Sequence, residues 1–307
     1  MSSQKVIFRR RYVPALWPMP SFWSWSTKEY CGVSMGLLVN IWDKGQYEGV
    51  WEADARHAIG RKTIEMLQAT SDLDLLRQRG VVAGRELLEF CKNFSLNVST
   101  ASFFDFADFL DGCKVRYATL VKHNMLYWVF SVDVLERDIM QELKVYGVDE
   151  IKEVFSTMSL TPSYSQVEER DFEALCAYAR AHGLESDTTG ARIKDFSEKY
   201  FWFPYEYVGP DIWDVGMVRE RVAQAMAMPE ESVREYSIEE KQQQLIKKFA
   251  LSKKVITLFR LVRAASLMQD DRKMYNSQVC YYLNGVVMSE IARRLNVPLE
   301  HARYIDA

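Results

Sequence analysis

The sequence predicts an all-α multi-helix bundle built on a long C-terminal helix, with an irregular aromatic segment ahead of it. Three observations lead there. Residues 251–296 contain no Pro and a single Gly, and their apolar side chains recur at helical spacing rather than alternating. Only fourteen Gly and eight Pro punctuate 307 residues, too few turn formers for a many-stranded fold. Sixteen Phe, sixteen Tyr, thirteen Met and eight Trp supply bulky side chains for a thick helical interior.

Residues 1–50 read as an irregular aromatic strap. Pro14, Pro18 and Pro20 break helices there, and Trp17, Phe22, Trp23 and Trp25 are too apolar to be left in water. Arg9, Arg10 and Arg11 beside these rings suit a nucleic-acid contact, but a strap packed on the bundle with solvated arginines is the simpler reading. Residues 51–307 read as one helical domain, either undivided or divided near 160 into 51–160 and 161–307.

The first helix is expected over 51–69 and the second over 73–93, capped by Ser71 or Asp72. Gly80 and Gly84 lie one turn apart in the second, which fits either a close helix crossing or two weak spots. The next stretch, from Ser102, reads as one helix, or as two with a break near Gly112. Asp105, Asp108 and Asp111 fan around a polar flank rather than converging on a metal. Farther on, Glu136 and Asn124 stand in apolar surroundings, where a carboxylate needs a partner, so Glu136 is a candidate site residue.

A short helix fits 149–156. Ser165 with Glu168 and Glu169 gives capping chemistry for a helix ending at His182–Gly183, and another runs from about Thr188 to Tyr200. It delivers KYFWFPYEYVGPDIWD, in which Pro204, Gly209 and Pro210 stop the helix while seven aromatics must pack. They make either a ligand wall of Trp202, Tyr205 and Tyr207 or a rigid plug between helix pairs. Residues 213–227 form a short helix. Lys247, Lys248, Lys253 and Lys254 are interspersed with acidic residues and read as solvated surface. In the long helix, five whole turns separate Arg272 from Glu290, placing both on one face about 27 Å apart. They are the polar ends of a largely apolar stripe, and Arg272 suits a forked contact to phosphate or carboxylate.

Several chemistries are unsupported. His57, His123, His182 and His301 form no HxxxH pair or Cys–His cluster, and no phosphate loop, dinucleotide fingerprint or nucleophile elbow is present. No catalytic, cofactor-binding or metal-ligating residue is therefore assigned within the chain. The net charge of −3 provides no global field for nucleic acid. Cysteines 31, 91, 113, 176 and 280 are odd in number and scattered, which reads as buried thiols in a reducing compartment. With no signal-like start and no apolar run of membrane-spanning length, a cytoplasmic chain is expected.

The order and character of three stretches carry a resemblance: SEKYFWFPYEYVGPDIWD, a charged helix, then SKKVITLFRLVRAASLMQDDRKMYNSQVCYYLNGVVMSEIARRLNVPLEHARYI. Over residues 160–307, and more faintly over 120–150, the chain resembles the central helical region of phosphoenolpyruvate-utilising enzymes. That group includes phosphoenolpyruvate synthase, pyruvate phosphate dikinase-like proteins and rifampin phosphotransferase. The resemblance implies an acceptor-binding or linker domain that positions a small polar or anionic substrate for phosphoryl transfer. ATP-grasp and phosphohistidine domains, in cis or in trans, would supply the chemistry, with ATP and magnesium belonging to them. Trp202, Tyr207, Gly209 and Pro210 match the aromatic turn, and Arg272, Lys273, Tyr281 and Glu290 match polar positions of the long helix. Arg272 and Lys273 would orient the acceptor against Trp202 and Tyr207, with Glu290 or Glu136 orienting a hydroxyl or neutralising Arg272. The competing reading is a non-enzymatic helical protein–protein interaction module.

Overall fold

The long C-terminal helix is present in the computed structural model of the chain, running 43 residues from Lys253 to Leu295. The structure describes residues 5–11, 28, 30, 32–33, 38–43, 46–70, 72–160, 167–205, 211–227 and 238–302. The aromatic strap residues Trp17, Phe22, Trp23 and Trp25, the capping Ser165, and Tyr207, Gly209 and Pro210 lie outside them.

Ahead of the helices, three strands stand in the segment expected to be irregular. They are β1 (Lys5–Arg11), β2 (Leu38–Asp43) and β3 (Gln46–Glu52). Their order is β1-β3-β2, both pairs antiparallel, with Lys5 opposite Glu52 and Asp43 opposite Gln46. Pro14, Pro18 and Pro20 lie between β1 and β2 in the sequence and so interrupt neither strand. The runs on either side are short and rich in β-branched and aromatic residues, as strands are.

The helical body begins with α1 (Ala53–Ala69) and α2 (Leu73–Ser95), where the Asp72 carboxylate accepts the Leu75 N–H at 2.9 Å. Then α3 (Phe103–Leu120) starts at a reciprocal capping box: the Asp105 N–H donates to Ser102 Oγ, and the Ser102 N–H to the Asp105 carboxylate. Asp105 is thereby committed to its own helix end. The chain stays helical past Gly112 and instead widens into a π turn at Val121–Met125 before α4 (Leu126–Glu142). After α5 (Val148–Met158) come α6 (Val167–His182), closed by Gly183 at φ +83°, and α7 (Asp187–Tyr200). A 3-10 turn at Phe203–Tyr205 follows, then α8 (Val215–Ala227) and α9 (Ile238–Lys248). The long helix comprises α10 (Lys253–Cys280), a second π turn (Tyr281–Val287) and α11 (Met288–Leu295), which Asn296 ends in the left-handed conformation; α12 (Leu299–Ala302) follows.

Packing explains why one helix needs such length. The second half of α10 and the second π turn pack on α2 and α3 around Leu87, Tyr117 and Val279, while its first half packs with α1, α4, α5 and α9 around Leu135, Ile139 and Phe259. Each such fully buried side chain contributes about 2 kcal/mol of transfer free energy. Both cores draw residues from either side of residue 160. A third core lies within α6, α7, α8 and the aromatic turn, around Ile193, Phe196, Trp202 and Val222. Salt bridges Arg56–Asp133 and Arg61–Asp138 run along the α1–α4 contact. At the other end Arg294 donates to the carbonyls of Val98, Ser99 and Ala101, tying α11 to the α2–α3 connection.

Candidate functional site

The predicted site residues do not all converge, and the reasons are local. Arg272 is 3 % exposed, deep in the bundle, while Lys273 is exposed. Consecutive helical residues point about 100° apart, so the two cations do not share a face. The preceding Asp271 is buried and accepts two hydrogen bonds from Arg77 of α2, at 2.6 and 3.0 Å.

Glu290 does not complement Arg272. Its carboxylate is held by Arg293 and Arg294 on its own helix, at 2.6 to 2.7 Å, and these hydrogen bonds pull its pKa down to about 2. The π turn between Arg272 and Glu290 also ends the uniform 100° count on which their shared face depended. Glu136 is exposed on α4 rather than set in the core. Partial desolvation, then the neighbouring Asp133 carboxylate, raises its pKa.

The aromatic turn does reach the long helix, but not through Trp202. Trp202 is buried in the third core, its indole N–H donating to the Lys199 carbonyl at 2.9 Å, so it acts as a plug. Phe201 and Tyr205 make the contact, meeting the Tyr281 ring edge-on at centroid distances of 4.7 and 5.5 Å. The Tyr205 hydroxyl lies 3.2 Å from where a Cβ on Gly285 would stand. A larger residue at 285 would displace that tyrosine. Met274, two residues beyond Arg272 on α10, packs against both the first and third cores.

Arg272 belongs to a polar layer that sequence reasoning missed in part. One turn along the same face is Asn276, 1 % exposed, and the first π turn brings in Asn124, fully buried. Among the described residues, neither the oxygen nor the nitrogen of either carboxamide has a hydrogen-bond partner. The elements that carry them, the first π turn and α10, pack on each other and on α2. The Asn124 Nδ2 lies 3.0 Å from where a Gly80 Cβ would be, and one turn on, Tyr275 covers Gly84, with Cγ 2.6 Å from its Cβ position. The glycine pair therefore marks a close crossing. The signal for Asn276 was its spacing of four from Arg272 inside the stripe of Tyr275, Val279 and Leu283.

No group of three or more His, Cys, Asp or Glu among the described residues is placed to hold a metal ion, and no described helix is long and apolar enough to cross a membrane. Cys91, Cys113, Cys176 and Cys280 are buried thiols outside any disulfide among the described residues. Comparison of the chain with protein families, with curated proteins and with solved structures finds no match.

Proposed function

We propose that this chain is the acceptor-binding helical part of a phosphoenolpyruvate-synthase-like phosphotransferase. Arg272 and the polar layer around it would hold a small polar acceptor from one side, and the Tyr205–Tyr281 contact would wall it from the other. ATP-grasp and phosphohistidine domains would supply the phosphoryl group, with ATP and magnesium bound there. This chain's part is positioning, which in phosphoryl transfer carries much of the rate. The observation that supports the reading most is the contact of Phe201 and Tyr205 of the aromatic turn with Tyr281, on the same long helix that buries Arg272. The planar guanidinium fork of Arg272 suits an oxygen-rich ligand.

The test is a reconstitution. The chain is mixed with ATP, magnesium, and ATP-grasp and phosphohistidine proteins encoded beside it, and a polar metabolite extract is followed by mass spectrometry. The expected result is one small molecule that gains a phosphoryl group only when the chain is present, with R272M slowing its formation by roughly tenfold or more. A charged phosphohistidine partner with no chain-dependent product would overturn the proposal.

An interaction module remains the second reading, because Leu96, Phe103 and Phe104 are 74 %, 60 % and 84 % exposed at the α2–α3 corner. Exposed apolar side chains grouped this way suit a protein contact.

A further inference from the structure

We infer that the carboxamides of Asn124 and Asn276 are ligand contacts, and that the ligand they take is a small uncharged molecule carrying neighbouring hydroxyl groups. Its role as phosphoryl acceptor rests on the function proposed above; its binding does not.

The argument begins with the cost of the arrangement. Each carboxamide has two N–H donors and an acceptor oxygen, and burying them without partners opposes folding. Buried polar groups in native proteins are nearly always satisfied, so two wholly unpartnered side chains in one bundle need an explanation. Asn124 is 0 % and Asn276 1 % exposed, and all four of their polar side-chain atoms lack a partner among the described residues. An apolar side chain of similar size at either position would pack without that cost.

Placement adds a second argument. Asn124 sits in the Val121–Met125 π turn, a helix defect that occurs often at functional sites. Gly80 leaves room for it: a Cβ there would lie 3.0 Å from Asn124 Nδ2 and 3.2 Å from Asn124 Cβ. Asn276 lies one turn from Arg272 on α10, which packs against both α2 and this π turn.

The chemistry of the amides selects the ligand. A carboxamide presents a donor and an acceptor side by side, and a hydroxyl both gives and takes a hydrogen bond. Two neighbouring hydroxyls can therefore satisfy one carboxamide, the oxygen accepting from one and the N–H donating to the other. The amides themselves add no charge, and the nearby charges are of both signs, with Asp271 bonded to Arg77. A neutral ligand enters such a layer without the desolvation cost of an ion. Tyr275, next to Asn276 in the chain, is buried and belongs to the first core.

The experiment is a thermal-shift titration of the full chain, without ATP or partner proteins, using glycerol, erythritol, myo-inositol and glucose at millimolar concentration, with inorganic phosphate as the charged probe. At least one polyol should raise Tm saturably by about 2 °C or more. The variant N124L/N276L should lose that rise while melting, unliganded, at or above the wild-type temperature. The single variants N124L and N276L carry the same comparison if the double variant does not fold. No saturable shift with any polyol, an equal shift in the variants, or a shift with phosphate alone would each overturn the inference. So would a lower unliganded Tm in both single variants, which would show the amides satisfied within the fold. Because no phosphoryl transfer is measured, a negative result here is distinct from a negative reconstitution.

Discussion

The Glu290 carboxylate takes hydrogen bonds from Arg293 at 2.6 and 2.7 Å and from Arg294 at 2.7 Å, and Arg294 in turn holds the carbonyls of Val98, Ser99 and Ala101. Those bonds, Arg293 first, lower its pKa from 4.5 to about 2. A depressed folded-state value means that stabilisation is present above the unfolded value and is lost as pH falls through the folded one. The stabilisation that the Glu290 carboxylate contributes through Arg293 and Arg294 should therefore be full above pH 4.5 and fall progressively toward about pH 2. Urea unfolding across that window should show wild type losing more stability than E290Q, which has no carboxylate to protonate. Parallel pH profiles for the two would remove this role. The residue type and the Arg-rich helix end were visible in the sequence. The partner was not, because an i, i+3 and i, i+4 pairing within one helix competes with any long-range partner, and spacing alone cannot rank the two.

At the scale of elements, the sequence was most informative where one period dominates a long stretch. The helices expected over 51–69 and 73–93 appear as Ala53–Ala69 and Leu73–Ser95, and the long helix begins and ends within two residues of the Pro-free run. The three strands were missed, although Leu38–Asp43 and Gln46–Glu52 are short runs rich in β-branched and aromatic residues separated only by Lys44–Gly45. That spacing is a hairpin signal, overshadowed by the neighbouring prolines. Both π turns were invisible, because a one-residue widening barely disturbs an apolar pattern. The Gly80/Gly84 ambiguity is settled by contact: a Cβ at Gly84 would stand 2.6 Å from Tyr275 Cγ. Overpacking costs about 1–3 kcal/mol, and the better helix propensity of Ala returns up to about 1 kcal/mol of it. G84A should thus lower stability by about 1–2 kcal/mol, and combining it with Y275L should recover most of the loss. A neutral or stabilising G84A in chemical unfolding would mean that α2 and α10 are not pressed together there.

For the molecule as a whole, the long helix serves two packing environments and one polar layer. Its first half lies in the core around Phe259 and its second half in the core around Val279, with Arg272 and Asn276 buried between. The fold class was legible because composition and periodicity agree over most of the chain. The candidate site was legible only in outline. Arg272, Tyr281 and the aromatic turn could be singled out by type and position, but which ring reaches the helix, and that Asn124 joins the layer, depend on helix crossings that no local pattern encodes. The central claim is that this layer receives a small polar molecule. The most direct measurement is NMR of the asparagine side-chain amides during titration with whichever polyol stabilises the chain. The account predicts saturable shifts in the Asn124 and Asn276 NH₂ signals, with the exposed Asn97 unmoved. Shifts confined to exposed asparagines, or none while the polyol still raises Tm, would contradict it.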